Sequence, residues 1–338
     1  MKAVILAAGK GTRMQGLCDE LPKPLLPVGN RPILSYTLAQ VEASGIDEAL
    51  LVVGHRAEQV RDTLGDACGR VALRYVVQSD PKGTGQATAL AEEFAAGEPF
   101  LLMFGDIVTS ARHLPDITRI YADERPAAVL SIRYFRDPAS GGAVYVDASR
   151  VERIVERPSP GDTTTHYINA GIFVFPPAIF DLLRQVDLSP RGEYELTDAI
   201  RLLIEGGGIV RAYDLEKFWI NVTDPANYLE AQHEFFAETP PPAAALAEGV
   251  QAQGAVVVAA DSTLHECALG PNVSIGSGCS IGPGAIVREA VVMDGAQVGA
   301  GARVVGAVVG LGAQVSPGAV LVGEPGGRAA VVGHGEAV

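Results

Sequence analysis

Three short stretches of the 338-residue chain hold residue types suited to phosphate chemistry. The first, Leu6-Ala7-Ala8-Gly9-Lys10-Gly11-Thr12-Arg13-Met14, sets small residues and two glycines beside two cations. Such a backbone can close around a phosphate with its amide N–H groups turned inward, and Lys10 and Arg13 add charge. It is neither a G-x-G-x-x-G fingerprint nor a Walker loop. The second, Pro22-Lys23-Pro24, holds a lysine between two residues of fixed φ, which positions the ammonium instead of leaving it to solvent. The third is Asp106, in Gly105-Asp106 directly after an apolar run. A carboxylate there can hold a hard divalent cation or cap a helix.

These stretches need rigid elements behind them, and the first half of the chain supplies a regular alternation. Lys2–Ala7, Ala49–Val53, Leu73–Val77 and Phe100–Phe104 read as strands. Between them, residues 32–44, 57–64 and 86–96 read as helices. That order predicts βαβ units in a largely parallel sheet. Ligands of such sheets bind at the carboxyl ends of the strands, which is where Ala8–Gly16, Gln78–Gly85 and Gly105–Asp106 fall. From 127 to 175 the pattern turns β-rich, and 194–204 and 225–236 read as helices that extend the same α/β domain.

Composition narrows the partners. Forty acids against 26 bases give a net charge of −14, which opposes non-specific binding to nucleic acid or to an anionic membrane. Residues 1–31 reverse this locally, with five bases against Asp19 and Glu20. Four scattered cysteines without a C-x-x-C pair predict neither a disulfide scaffold nor a structural zinc, and no secretory leader or membrane helix is visible, so the expected compartment is the cytoplasm.

Beyond Thr239-Pro240-Pro241-Pro242 and the alanines 243–245, a stiff spacer, the sequence changes character. Leu269-Gly270, Ile275-Gly276, Ile281-Gly282 and Val287 step by six residues, and Val298-Gly299, Val304, Val309-Gly310, Val315 and Leu321 repeat the step with single-residue slips. An aliphatic every sixth residue, followed by small residues, predicts hexapeptide coils of a left-handed parallel β-helix. The expected organisation is a catalytic domain over 1–238, a linker over 239–249, a β-helix over 250–326 and a tail over 327–338. His55, His113 and His166 have no partner spacing for a triad or a metal, and a surface or loop role is expected of them. His265 precedes the repeat and His334 follows it.

Together and in order, the glycine-rich loop, Arg13 and the Pro-Lys-Pro segment resemble those of the sugar-1-phosphate nucleotidyltransferases, the nucleotide-diphospho-sugar pyrophosphorylases. The resemblance covers essentially the whole chain. Gln78 with Gly83-Thr84-Gly85-Gln86-Ala87, then Gly105-Asp106, is most similar to N-acetylglucosamine-1-phosphate uridyltransferases. Glu156-Arg157-Pro158, Asn169-Ala170-Gly171, Arg191-Gly192-Glu193-Tyr194 and Trp219-Ile220-Asn221 resemble motifs of the wider family, including glucose-1-phosphate thymidylyltransferases and uridylyltransferases.

The resemblance implies a Rossmann-like α/β fold with a mixed, mostly parallel sheet, followed by the β-helix. It implies Mg²⁺-dependent transfer of a nucleotidyl group from a nucleoside triphosphate, UTP or dTTP preferred, to a glucose- or N-acetylglucosamine-type sugar-1-phosphate. Arg13 would then hold the β- and γ-phosphates, Lys23 the α-phosphate, and Asp106 the metal, with Asn221 as second ligand and Asp224 as its substitute. Leu6, Ala7, Ala8, Gly9, Lys10, Gly11, Thr12, Gln78, Gly83 and Thr84 would bind the nucleotide. Gln78 can offer both an amide donor and an acceptor to a base edge. Gly142, Glu156, Arg157, Asn169, Gly171 and Glu193 would bind the sugar phosphate. Arg157 stands where the family usually has Lys, and Gly141 where an aromatic often precedes the glycine. Competing readings are a non-catalytic regulatory paralogue, a GTP-using mannose-1-phosphate guanylyltransferase, and a bifunctional enzyme with an acyltransferase in the coils. Self-association, as a trimer or a multiple of it, is expected through the β-helix.

Overall fold

The computed structural model describes residues 1–338 apart from 139–140, 160, 243–247 and 325–326, so the alanines of the spacer lie outside the described residues. The chain divides into two compact units. One comprises Met1–Gly9, Ser35–Ile107 and Ala111–Phe218; the other comprises Lys10–Leu34, Val108–Ser110 and Trp219–Val338. The segment carrying Arg13 and Lys23 therefore groups with the C-terminal coils, a partition that does not follow the spacer.

The first unit is built on a ten-stranded sheet. Its strands are β1 (Lys2–Ala7), β2 (Glu48–Val53), β3 (Ala67–Cys68), β4 (Val71–Val77), β5 (Phe100–Phe104), β6 (Ala128–Tyr134), β7 (Gly142–Asp147), β8 (Arg150–Glu156), β9 (Tyr167–Phe175) and β10 (Val210–Asp214), in spatial order β7-β8-β10-β6-β9-β5-β1-β2-β4-β3. The run β5-β1-β2-β4 is parallel throughout. Strand β9 then enters antiparallel between β5 and β6, so the sheet is mixed. β1 lies at the centre of the parallel half. Its Val4 and Ile5 are almost fully buried, as unbroken apolar strands of such sheets are.

Local sequence accounts for most of the elements. The helix expected over 86–96 is broken into Thr84–Ala89 and Glu92–Ala95, and the second piece ends on Ala96 in the left-handed region before Gly97. The helix His113–Glu124 and the strand β10 were not foreseen. His113, expected at the surface or in a loop, is buried with its ring edge on Tyr213.

In the second unit, strands pair in parallel at a fixed step. Val256 pairs with Val273, Val273 with Ala290 and Ala290 with Ala307, each 17 residues on. Thr263, Ser280, Gln297 and Gln314 form another ladder with the same step. The aliphatics singled out by the six-residue period face inward: Leu269, Ile275, Ile281, Val287, Val298, Val304, Val309 and Val315 all belong to one buried cluster. A residue in the wrong register would turn polar backbone corners into the stack, so the period and the core enforce each other.

The stretch read as a tail takes part in this stack. Ala330–Val332 pairs in parallel with Ala307–Val309, and Gln314 bridges Ala337. The step from Ala307 to Ala330 is longer than the others by one hexapeptide, which hid the last strand from the period. Among the described residues no helix is long and apolar enough to cross a membrane.

Replacing Ile281, fully buried in the stack, with Ala should lower the unfolding free energy by about 2–5 kcal/mol through lost burial and a cavity. Urea unfolding followed by circular dichroism measures it, and a loss below about 1 kcal/mol would mean that the stack collapses freely around the gap.

Candidate active site

Parallel strands bring three of the sequence-selected positions to one sheet edge in the first unit. Ala8–Gly9 leaves β1, Gln78 leaves β4, and Gly105-Asp106 leaves β5. The exits are tightly packed. A Cβ on Gly105 would lie 3.0 Å from the Ala7 Cβ, and one on Gly54 would lie 2.8 Å from the Ala8 carbonyl oxygen. Gly105 N–H donates to the Leu6 carbonyl at 2.8 Å, so Leu6 and Ala7 serve as strand and wall, and the open loop begins at Ala8. Gly54 was not singled out, because a lone glycine after a strand carries no signal in one sequence.

Gln78 is buried, and its side chain is oriented by the loop that follows. Its Nε2 donates to Gln86 Oε1 at 2.6 Å and more weakly to the Gly83 carbonyl at 3.3 Å. Both bonds engage the Gln78 amide N–H groups within this segment. Gln86, quoted only as part of a motif, is what orients it. Gly83 has φ +100°, a conformation L side chains rarely adopt, and a Cβ there would meet the Tyr194 carbonyl at 2.6 Å and the Glu193 Cβ at 2.9 Å. Thr84 Oγ1 accepts from Leu196 N–H at 3.2 Å, so this side chain ties the loop to the helix Leu196–Glu205.

That approach to Glu193 links the loop to a polar cluster in the same unit. Gly142 and Glu156 face each other across β7 and β8. A Cβ on Gly142 would lie 3.2 Å from Glu156 Oε2 and 3.5 Å from the Asn169 Cβ. Thr197 donates to Glu156 Oε2 at 3.1 Å, and Arg191 lies 3.4 Å from Glu156, 3.0 Å from Glu193 and 3.3 Å from the buried Glu195. Thr197 and Glu195 were missed, since neither stands out from an ordinary helix start. Asn169 Oδ1 accepts from Gly171 N–H at 2.9 Å. Arg157 is exposed, 3.7 Å from Glu156, on a backbone with φ +39°. Strain of that kind in a non-glycine residue concentrates where ligands are handled.

The second unit holds the cationic segment. Lys10, Thr12 and Arg13 are exposed beside Gly11, whereas Lys23 is only 8% exposed in a 3-10 turn between Pro22 and Pro24. Asn221 ends the strand Trp219–Asn221, and its Oδ1 is buried without a hydrogen-bond partner. Its orphaned amide oxygen is a hard donor of the kind that suits a divalent cation completed by phosphates, and in the first unit the half-buried Asp106 carboxylate is a separate donor of the same kind. Asp224, the expected substitute ligand, stands at a helix start. Its Oδ1 accepts from Ala226 and Asn227 N–H at 2.9 Å and caps the helix Pro225–Glu238.

A cavity of about 420 Å³ in the first unit, lined by Arg112, His113, Asp116, Arg211, Tyr213 and Lys217 among others, involves none of the residues selected from the sequence. Within it Tyr213 donates to Asp116 at 3.2 Å, and burial, reinforced by that carboxylate, raises its phenol well above the usual range.

Comparison with known proteins identifies the family. Residues 2–238 match the family described as Nucleotidyl transferase, and residues 252–337 match one described as GMPPB C-terminal domain. The low-salt glycan biosynthesis nucleotidyltransferase Agl11 of Haloferax volcanii is 32% identical over 234 residues, 68% of this chain and 65% of that protein, so the chain spans slightly under two thirds of it. A glucose-1-phosphate thymidylyltransferase of Streptomyces antibioticus is 28% identical over 302 residues, 83% of this chain and 84% of the relative. The structure of a UDP-glucose pyrophosphorylase complexed with UDP-glucose shares the fold, with a TM-score of 0.65 at 21% identity over 70% of this chain and 98% of its own.

Burial first, then the charge of Glu195, raises the Glu156 carboxyl above the ordinary carboxylate range. A carboxyl raised by folding contributes stability below its unfolded value and loses it as pH rises through the folded value. At pH 8 Glu156→Gln should therefore melt ~1–3 °C above the parent, with the gain gone at pH 4. A drop of several degrees at pH 8 would show that the bonds from Thr197 and Arg191 outweigh the desolvation.

Proposed function

The chain belongs to the nucleotidyl transferase family, and on that premise we propose that it transfers a nucleotidyl group from a pyrimidine nucleoside triphosphate to a sugar-1-phosphate, releasing pyrophosphate. The observation that carries this reading is the continuity of two kinds of site in the first unit. The Gly83 turn, suited to a base, abuts Glu193, and Glu193 shares Arg191 with the Gly142–Glu156–Asn169 cluster, suited to sugar hydroxyls. A nucleotide and a polyol phosphate bound there would be neighbours.

In this reading an oxygen of the sugar phosphate attacks the α-phosphorus in line, the bond to the β-phosphate breaks, and pyrophosphate leaves. No covalent enzyme intermediate forms. Positioning and charge neutralisation then supply the rate. Lys23, held rigid by its prolines, meets the charge on the α-phosphate, and Arg13 that on the leaving β- and γ-phosphates. A divalent cation, Mg²⁺ in this reading, would be held by Asp106 and Asn221 and would neutralise phosphate charge as it develops. Glu156, Glu193 and Asn169 accept or donate to hydroxyls, Arg157 meets the sugar phosphate, and Gly142 and Gly171 allow close backbone approach.

The reading extends to the coils. A 17-residue step corresponds to three hexapeptides with one slip, which supports a left-handed β-helix. Exposed Val320 and Val322 support its use in self-association. A cytoplasmic protein that binds neither nucleic acid nor membranes is consistent with the net charge of −14.

Pyrophosphate release measured over five nucleoside triphosphates and glucose-, N-acetylglucosamine-, mannose- and galactose-1-phosphate tests the substrate classes. UTP or dTTP should lead; turnover with GTP above both would overturn the base preference. Asp106→Asn, Lys23→Ala and Arg13→Ala should each lower kcat/KM by about 100-fold or more through lost charge stabilisation, with circular dichroism unchanged. Parental rates in these variants would point to a different site.

A further inference from the structure

The Arg13–Lys23 segment is anchored on both sides by groups from the C-terminal part of its own unit. On the Lys23 side, the hairpin Pro27–Val28 and Arg31–Pro32 turns through Gly29 and Asn30, both with positive φ. Tyr228 donates to the Pro27 carbonyl, and Asn30 Nδ2 donates to the Ile275 carbonyl at 2.6 Å. Gln232, only 1% exposed, uses its whole amide. Its Oε1 accepts from Gly29 N–H at 3.3 Å and Ser274 Oγ at 2.6 Å, and its Nε2 donates to the carbonyls of Asn272 and Ala290 at 3.2 and 3.3 Å.

On the Arg13 side the anchor is His334. Its Nδ1 accepts from Leu311 N–H at 2.8 Å, which leaves the ring proton of the neutral imidazole on Nε2. Nε2 lies 2.9 Å from the Leu17 carbonyl, an obligate acceptor, so it donates there. Leu17 is the end of a short ladder of turns: Leu17 N–H donates to Met14, and Met14 N–H to Gly11. Met14 and Leu17 are fully buried, and Gly11 packs so closely on Cys18 that a Cβ would come within 2.7 Å of its Sγ. Displacing Leu17 and Cys18 therefore displaces Gly11 and, between them, Arg13.

The geometry points to His334 as a positioning residue: it couples the last coil to the glycine-rich segment and holds Arg13 where the triphosphate is bound. This inference rests on the reading of Arg13 as a triphosphate ligand. Two substitutions in the full chain separate the ring's two bonds. His334→Asn can keep an acceptor at the Nδ1 position for Leu311 and loses the donor to Leu17, whereas His334→Gln places an amide donor at the Nε2 position.

The expected result for His334→Asn is a kcat/KM for the nucleoside triphosphate down by about tenfold, the size of one lost positioning hydrogen bond, with KM for the sugar-1-phosphate unchanged and the Tm lowered by no more than a few degrees. His334→Gln should recover most of the loss. Hydrogen–deuterium exchange of amides 11–19 gives a readout independent of turnover; it should quicken in His334→Asn and return in His334→Gln. Parental exchange in His334→Asn, equal defects in the two variants, or faster exchange with parental kinetics would overturn the inference. A parent chain that turns over no triphosphate would instead refute the reading of Arg13, while the exchange pair still decides the anchor.

Discussion

One buried amide holds together the part of this protein on which phosphate chemistry would depend. Gln232 has two donors and two acceptor sites, and all are used, joining the Gly29 turn to two successive coils. In a site with almost no exposure to water, removal of one partner leaves an unpaired buried group. The orientation of the amide is set by Gly29 N–H, which only donates, and by the Asn272 and Ala290 carbonyls, which only accept; the Ser274 hydroxyl fits either way. The conformation of a loop near the N-terminus is thus fixed by residues more than two hundred positions away, and the coils act as scaffold for that loop besides any role in assembly.

The first unit meets a different constraint. Four parallel strands deliver their carboxyl ends to one edge, and small residues at Gly54 and Gly105 let those ends lie close. The acidic cluster beyond them is held by one guanidinium, Arg191, shared among Glu156, Glu193 and Glu195. Burial of Glu156, and after it the charge of Glu195, raises the Glu156 carboxyl despite the neighbouring guanidinium.

How much of this was legible in the sequence follows from the range of the interactions. The bounds of β1, β5 and the helix Ala57–Leu64 were read correctly because apolar runs and period are local signals. The hexapeptide aliphatics were legible for the same reason, since each coil repeats its neighbour. The helix over 86–96 was read as continuous because nothing local marks the break at Leu90 and Ala91. Asp224 was ambiguous in the sequence because a carboxylate before a proline looks alike as a cap and as a ligand. Thr197, Gln86 and above all His334 escaped, because their partners lie 41, 8 and 317 positions away and no periodicity records them.

The central claim is that the nucleotidyl group passes directly from triphosphate to sugar phosphate on charges this chain positions. Stereochemistry at the α-phosphorus tests it most directly. Turnover of the Sp diastereomer of a uridine or thymidine 5′-O-(1-thiotriphosphate) with a sugar-1-phosphate, followed by phosphorus NMR of the product, should show inversion, as a single in-line displacement requires. Retention would require a second displacement through a covalent nucleotidyl-enzyme and would contradict the account.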